Sequence, residues 1–268
     1  MTPLGRRLTR FAEHVMSDSR SQALLLGFPD YAAAAERLAR AAALSYAEVE
    51  VHHFPDGESR VRLPTALPAH TILCRSLDRP NGKLLELALA AVTARKLGAE
   101  RLTLVAPYLC YMRQDTAFQP GEAVSQRIIG LMLANWFDTL VTVDPHLHRV
   151  HSLQEAVPVR RPLALSAAAG MAAFLAHRFP RPMLIGPDAE SEQWVAAIAR
   201  RQGFDYRVGS KERLGDQQVR VSMPAARYRG RDLVIVDDVV STGCSLEAVA
   251  RQLQAQDPAS LSVLVTHA

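Results

Sequence analysis

Short apolar runs recur along the chain, and most are followed by a longer stretch in which apolar residues return at helical spacing. Residues 23–28, 71–75, 101–106 and 140–143 read as strands, and 31–44, 83–97 and 124–137 as helices. Segments 48–54 and 59–63 flank Pro55-Asp56-Gly57, a turn signal that predicts a projecting hairpin. Further on, 166–177 and 191–201 read as helices, and 183–185, 205–209, 219–223 and 261–266 as strands. Residues 211–218 read as a polar loop, and 1–22 as a polar, arginine-bearing helix or arm on the surface. Strands alternating with helices predict an α/β fold with mostly parallel sheets covered on both faces. There are more strands than one small sheet needs, so the expectation is two halves of similar architecture, 1–160 and 161–268.

The run Leu233–Val236 ends in two adjacent carboxylates, Asp237 and Asp238, followed by Ser241, Thr242, Gly243, Cys244 and Ser245. Leu246, Val249, Ala250 and Leu253 then recur at helical spacing. The implied structure is a buried strand, a loop with free N–H groups and a helix N-terminus, a combination that binds phosphate. Hydroxyls at 241, 242 and 245 add donors, and Gly243 allows close backbone approach. Two acids upstream suit vicinal sugar hydroxyls or a hard cation. Phosphate at one end and diol-binding acids at the other describe a sugar phosphate. A turn cap would account for one carboxylate, not for the series.

A chain of 268 residues accommodates two α/β domains, and 49% apolar residues with few aromatics fit an ordinary globular protein. A net charge of +4 without a basic block does not call for nucleic acid. Three cysteines without a C-x-x-C pair argue against a disulfide scaffold or a zinc site, and point to a reducing, cytoplasmic setting. No apolar run approaches a membrane span, and the N-terminus lacks a hydrophobic signal core.

In open α/β sheets ligands bind beyond the carboxyl ends of strands. Arg113-Gln114-Asp115, Asp144 with His146, Asp188, and Asp237-Asp238 all fall at such ends or in the adjoining loops. The stretch 232–245 resembles the phosphoribosyl loop of type I phosphoribosyltransferases and of ribose-phosphate pyrophosphokinases (PRPP synthases). Six further motifs follow that second family. Phe54-Pro55-Asp56-Gly57-Glu58 is similar to its F-x-D-G-E hairpin, and Pro107-Tyr108 through Arg113-Gln114-Asp115 to its P-Y-x-x-Y-x-R-Q-D. Asp144-Pro145-His146 resembles D-L-H, Gly186-Pro187-Asp188 resembles S-P-D, and Lys211-Glu212-Arg213 resembles the K-x-R of the catalytic loop. Arg75 through Leu87 resembles a segment that the family places beside the pyrophosphate.

The resemblance implies two tandem phosphoribosyltransferase-like domains that transfer a pyrophosphoryl group from ATP to ribose 5-phosphate with Mg2+. It implies ATP contacts at Phe54, Asp56, Glu58, Arg113, Gln114 and His146, and metal contacts at His146 and Asp188. Ribose 5-phosphate would meet Asp188, Asp237, Asp238, Ser241, Thr242, Gly243, Cys244 and Ser245, while Lys211 and Arg213 act catalytically. It also implies a homo-oligomer in which the 54–58 hairpin completes a neighbour's ATP site. The short K-x-R segment followed by Leu214-Gly215 is similar to the shorter archaeal type, for which strong ADP regulation is not expected. Departures are Ser241 in place of an acid, Ala189-Glu190-Ser191 in place of glycines, and Pro145 in place of leucine. Ser241 and the 189–191 segment leave open a non-catalytic regulatory subunit, and no residue excludes an enzyme with a shifted substrate. Against a transferase that consumes PRPP stand the tandem halves, the 54–58 hairpin and Arg113-Gln114-Asp115.

Overall fold

A computed structural model describes residues 23–213, 219–240 and 243–268 of the chain, apart from the side chains of 211–213, 219–221 and 245. The chain divides into two compact units after Leu165. The first contains β1 (Leu24–Gly27), α1 (Ala32–Ala41), β2 (Ser45–Glu48), β3 (Glu50–His53), β4 (Ser59–Arg62), β5 (His70–Cys74) and α2 (Pro80–Lys96). It continues with β6 (Arg101–Val105), α3 (Ser125–Trp136), β7 (Thr139–Val143), α4 (Leu153–Ala156) and β8 (Arg161–Leu165). Six of these strands form a sheet of order β2-β1-β5-β6-β7-β8, parallel at every junction. Strands β3 and β4 form the expected antiparallel hairpin, separate from that sheet.

Central strand β5 is buried along its whole length, because helices cover both faces. Leu73 faces a core shared with Leu84 and Leu87 of α2 and Leu133 of α3. Ile72 and Cys74 face the opposite core, with Ala35 and Ala39 of α1. A strand buried on both sides reads as an unbroken apolar run, which is why β5 and β6 are recognisable in the sequence. Edge strands β2 and β8 carry no such run, and both differ from expectation. Within β8, Pro162 lies next to the expected break at Arg160-Arg161. Proline is tolerated on an edge strand, where its missing N–H disrupts no central ladder. Residues 161–165 thus complete the first sheet, and the unit boundary lies five residues beyond that break.

The second unit contains α5 (Ala168–Arg178), β9 (Met183–Gly186), α6 (Glu192–Gln202), β10 (Asp205–Val208), β11 (Ser210–Arg213) and β12 (Val219–Ser222). It ends with β13 (Asp232–Val239), α7 (Cys244–Gln254) and β14 (Ser260–His267). Its main sheet has the order β10-β9-β13-β14 and is again parallel. Along β13, Val234 and Val236 pack with Val195 and Ile198 of α6, while Leu233 and Ile235 pack with Leu246 and Val249 of α7. Strict alternation between two apolar layers follows from the two-residue period of a strand. Residues 211–213 differ from the expected loop, since they belong to β11, which pairs antiparallel with β12. The Lys, Glu and Arg there hide a two-stranded ribbon, because charged residues depress strand propensity without forbidding such a ladder. Segment 1–22 lies outside the described residues.

Candidate active site

In the first unit the functional candidates gather beyond the carboxyl ends of β6 and β7 and at the hairpin tip. Phe54 is 41% exposed and its ring meets His52 edge-on at 4.9 Å. The tip is closed by the Phe54 N–H donating to the Glu58 carbonyl (2.8 Å) and the Gly57 N–H donating to the Phe54 carbonyl (2.9 Å). Asp56 Oδ1 accepts from the Glu58 N–H at 3.1 Å. That leaves an apolar ring and the acids Asp56 and Glu58 exposed on a turn ordered from within.

Beyond β6, Arg113 is exposed and Gln114 is anchored at the start of α3. Ser125 Oγ donates to Gln114 Oε1 at 3.1 Å, and the Gln126 N–H donates to the Gln114 carbonyl at 3.2 Å. Asp115 has a structural role: its carboxylate accepts from the Arg149 N–H at 3.0 Å and from its guanidinium at 2.7 Å. Burial alone would raise the Asp115 carboxyl, but the hydrogen bonds and charge of Arg149 outweigh it and hold it below the usual aspartate value. Arg149 also lies over Phe118 at 5.8 Å, so this pair ties the 113–118 loop to the segment after β7. Sequence reading misses Arg149, whose position carries no motif. Asp144 is buried and His146 half-buried. Asp144 and Tyr111 have left-handed backbones, at φ of 38° and 61°. Such conformations are costly for non-glycine residues and concentrate at functional loops.

In the second unit, Asp188 follows β9 and the acidic pair ends β13. Asp188 Oδ1 accepts from the N–H groups of Glu190 (3.1 Å) and Ser191 (3.2 Å), capping a short 3-10 turn. The Ala-Glu-Ser segment that replaces the expected glycines therefore uses Asp188 locally. Asp238 is only 3% exposed, and its N–H donates to Asp237 Oδ1 at 3.0 Å. Asp237 is pushed well above the ordinary aspartate range, first by burial, then by the charge of Asp238, with a smaller contribution from Asp188. Carboxylates that repel one another across a part-buried site form a donor set suited to a hard cation or sugar hydroxyls.

Gly243 stands at the N-cap of α7 with φ 77° and ψ −5°. Only glycine adopts this left-handed geometry cheaply, and it brings no side chain to cap the first N–H groups of the helix. Cys244 opens α7 with an exposed thiol. Ser241 and Thr242 lie outside the described residues, as do the side chains of Lys211, Arg213 and Ser245. Among the described residues no three His, Cys, Asp or Glu side chains cluster as a metal cage. His146 belongs to the first unit and Asp188 to the second.

Two protein-family matches together span most of the chain. Residues 25–136 match the N-terminal domain of ribose phosphate pyrophosphokinase, and 160–268 the phosphoribosyl transferase domain. A Methanopyrus kandleri ribose-phosphate pyrophosphokinase is 34% identical over 236 residues, spanning 87% of this chain and 79% of the relative. The chain belongs to the ribose-phosphate pyrophosphokinase family. A second member, from Saccharolobus solfataricus, is 31% identical over 248 residues, covering 87% and 80% of the two chains. The crystal structure of phosphoribosylpyrophosphate synthetase from Mycobacterium smegmatis matches with a TM-score of 0.77 at 19% identity, over 92% of this chain and 81% of that one. At that identity the match speaks for the fold, and it agrees with the two-domain architecture of the pyrophosphokinase family.

Proposed function

We infer that this protein is an active ribose-phosphate pyrophosphokinase, moving the pyrophosphoryl group of ATP to the 1-hydroxyl of ribose 5-phosphate and releasing AMP. The observation that carries this is the presence, in one chain, of both the pyrophosphokinase-specific N-terminal domain and the phosphoribosyl transferase domain. A transferase that merely consumes PRPP has no need of the first.

Each unit has its share of the chemistry. Arg113 and Gln114 orient ATP, with the exposed Phe54 ring and the acids at 56 and 58 contacting the nucleotide. The acids Asp237 and Asp238 accept hydrogen bonds from the ribose hydroxyls. Residues 241–245 present N–H groups and hydroxyls to the 5-phosphate at the start of α7. Lys211 and Arg213, on β11, neutralise charge that develops on the transferring group. Little covalent work is asked of the protein, since in-line positioning and electrostatic stabilisation dominate phosphoryl transfer. The repelling carboxylates of the second unit fit a divalent cation. Asp188 of the second unit and His146 of the first, each taken within its own unit, are the residues that would hold Mg2+, which would supply positive charge to offset that of the phosphates.

A homo-oligomer, in which the 54–58 hairpin reaches a neighbour's nucleotide, and a cytoplasmic location with three free cysteines complete the reading. No described helix is long and apolar enough to cross a membrane. A second reading, a regulatory subunit without turnover, draws support from the capping contacts that occupy Asp188 Oδ1. Phosphorus NMR of the protein with ATP, Mg2+ and ribose 5-phosphate separates the two. The diphosphate resonances of 5-phosphoribosyl 1-diphosphate are expected to grow as ATP disappears. Substrate binding without any new diphosphate would establish the regulatory subunit.

A further inference from the structure

Glu86 is a carboxylate in the middle of α2 with 2% of its surface exposed, and nothing in the reaction above uses it. Burying a carboxylate costs several kcal/mol unless it is fully paired. Here it is paired on every side. Its Oε1 accepts from Ser59 Oγ at 2.8 Å and lies 2.7 Å from His53 Nε2. Its Oε2 lies 2.6 Å from the guanidinium of Arg75. Arg75 is buried in turn: its Nε is 2.9 Å from Asp30 and its guanidinium lies over the Phe28 ring at 4.4 Å. Lys83 closes the circuit, 2.9 Å from both Asp30 and Asp78. Neither Arg75 Nε nor Glu86 Oε2 makes a hydrogen bond among the described residues, so Arg75 meets both acids as a charge pair, whereas Ser59 donates a hydrogen bond. Burial alone would raise the Glu86 carboxyl; Arg75, His53 and Ser59 outweigh it and keep it below the usual glutamate value.

The two hairpin residues on Oε1 are not arbitrary. His53 ends β3, Ser59 begins β4, and the two are direct cross-strand partners. One oxygen atom therefore grips both strands at the point where the ladder stops and the exposed tip 54–58 starts. The hairpin is a separate two-stranded ribbon that receives no ladder from the main sheet, and isolated ribbons are marginal in water. An apolar anchor could supply as much stability as this charged one, but it could not fix a direction.

We propose that Glu86 is a positioning residue of the reaction, clamping the base of the β3–β4 hairpin so that Phe54, Asp56 and Glu58 meet the nucleotide in one orientation. This rests on the reading of the tip as a nucleotide contact. Arg75 holds the carboxylate in place and is itself held by Asp30, which Lys83 pairs in turn.

The test uses the double variant His53→Ala/Ser59→Ala, which frees the hairpin while leaving Glu86 paired with Arg75, beside Glu86→Gln. The double variant is expected to raise KM for ATP about fivefold or more, with kcat and KM for ribose 5-phosphate within about twofold of the parent. Amide hydrogen exchange at Phe54 is expected to accelerate in both variants while β5 keeps its protection. Unchanged exchange at Phe54 would overturn the clamp. Faster exchange with an unchanged KM for ATP would overturn the positioning role, as would an equal rise in both KM values. The exchange measurement needs no turnover. A parent protein that makes no AMP would therefore overturn the proposed reaction separately, leaving the clamp to be decided by exchange.

Discussion

Asp237 is the residue at which function and stability pull apart. In the unfolded chain it ionises near the ordinary aspartate value, whereas in the folded protein it is pushed up to about 7. Between those values the folded state holds the extra proton, so stability falls as pH rises through that window and loses nothing further above it. Asp237→Asn removes the penalty. The variant is expected to melt higher than the parent at pH 8, by about 1 kcal/mol or more, and to match it near pH 4. Its turnover with ribose 5-phosphate is expected to fall by about 100-fold. Equal melting temperatures at pH 8 would show that burial and the neighbouring Asp238 do not penalise the charged Asp237. The acidic pair is legible in the sequence because it interrupts an apolar strand. Its coupling is not, because the repulsion depends on burial. The Asp188 cap and the Arg149–Asp115 pair escape for a similar reason, since their hydrogen bonds depend on a folded turn or on a partner far along the chain.

Among the elements, the strands buried on both faces and the amphipathic helices are legible from periodicity. What escapes is peripheral: the edge strands β2 and β8, whose residues are largely solvent-facing, and β11, whose charges resemble a loop. Two glycines mark places where the element geometry is most demanding. A Cβ on Gly130 of α3 would lie 1.9 Å from the Ala156 carbonyl oxygen. Gly130→Ala, although it improves helix propensity, is therefore expected to destabilise the protein by about 1–3 kcal/mol in urea unfolding. A stabilised variant would mean that α4 moves freely. Among the described residues, a Cβ on Gly243 would come no closer than 3.9 Å to its nearest neighbour, Val240, so its requirement is conformational. Gly243→Ala forces a left-handed residue at a cost of about 1–2 kcal/mol. That is expected to raise KM for ribose 5-phosphate about tenfold while KM for ATP stays put. Equal shifts in both constants would remove the turn from the phosphate site.

At the scale of the whole molecule, two parallel sheets each present loops beyond their carboxyl ends, and the candidate residues are shared between them. Family membership covers both units, with the proposed nucleotide contacts in the first and the proposed sugar-phosphate loop in the second. The departures at Ser241 and 189–191 bear on whether the assembled enzyme turns over, which makes turnover the central question. The most direct measurement is AMP release from ATP and Mg2+, with and without ribose 5-phosphate, for the parent protein and for Lys211→Ala. AMP is expected only when the sugar phosphate is present, abolished by EDTA, and lowered at least about 100-fold by the substitution. AMP release independent of ribose 5-phosphate, or none at all from a protein that binds both substrates, would contradict the pyrophosphokinase reading.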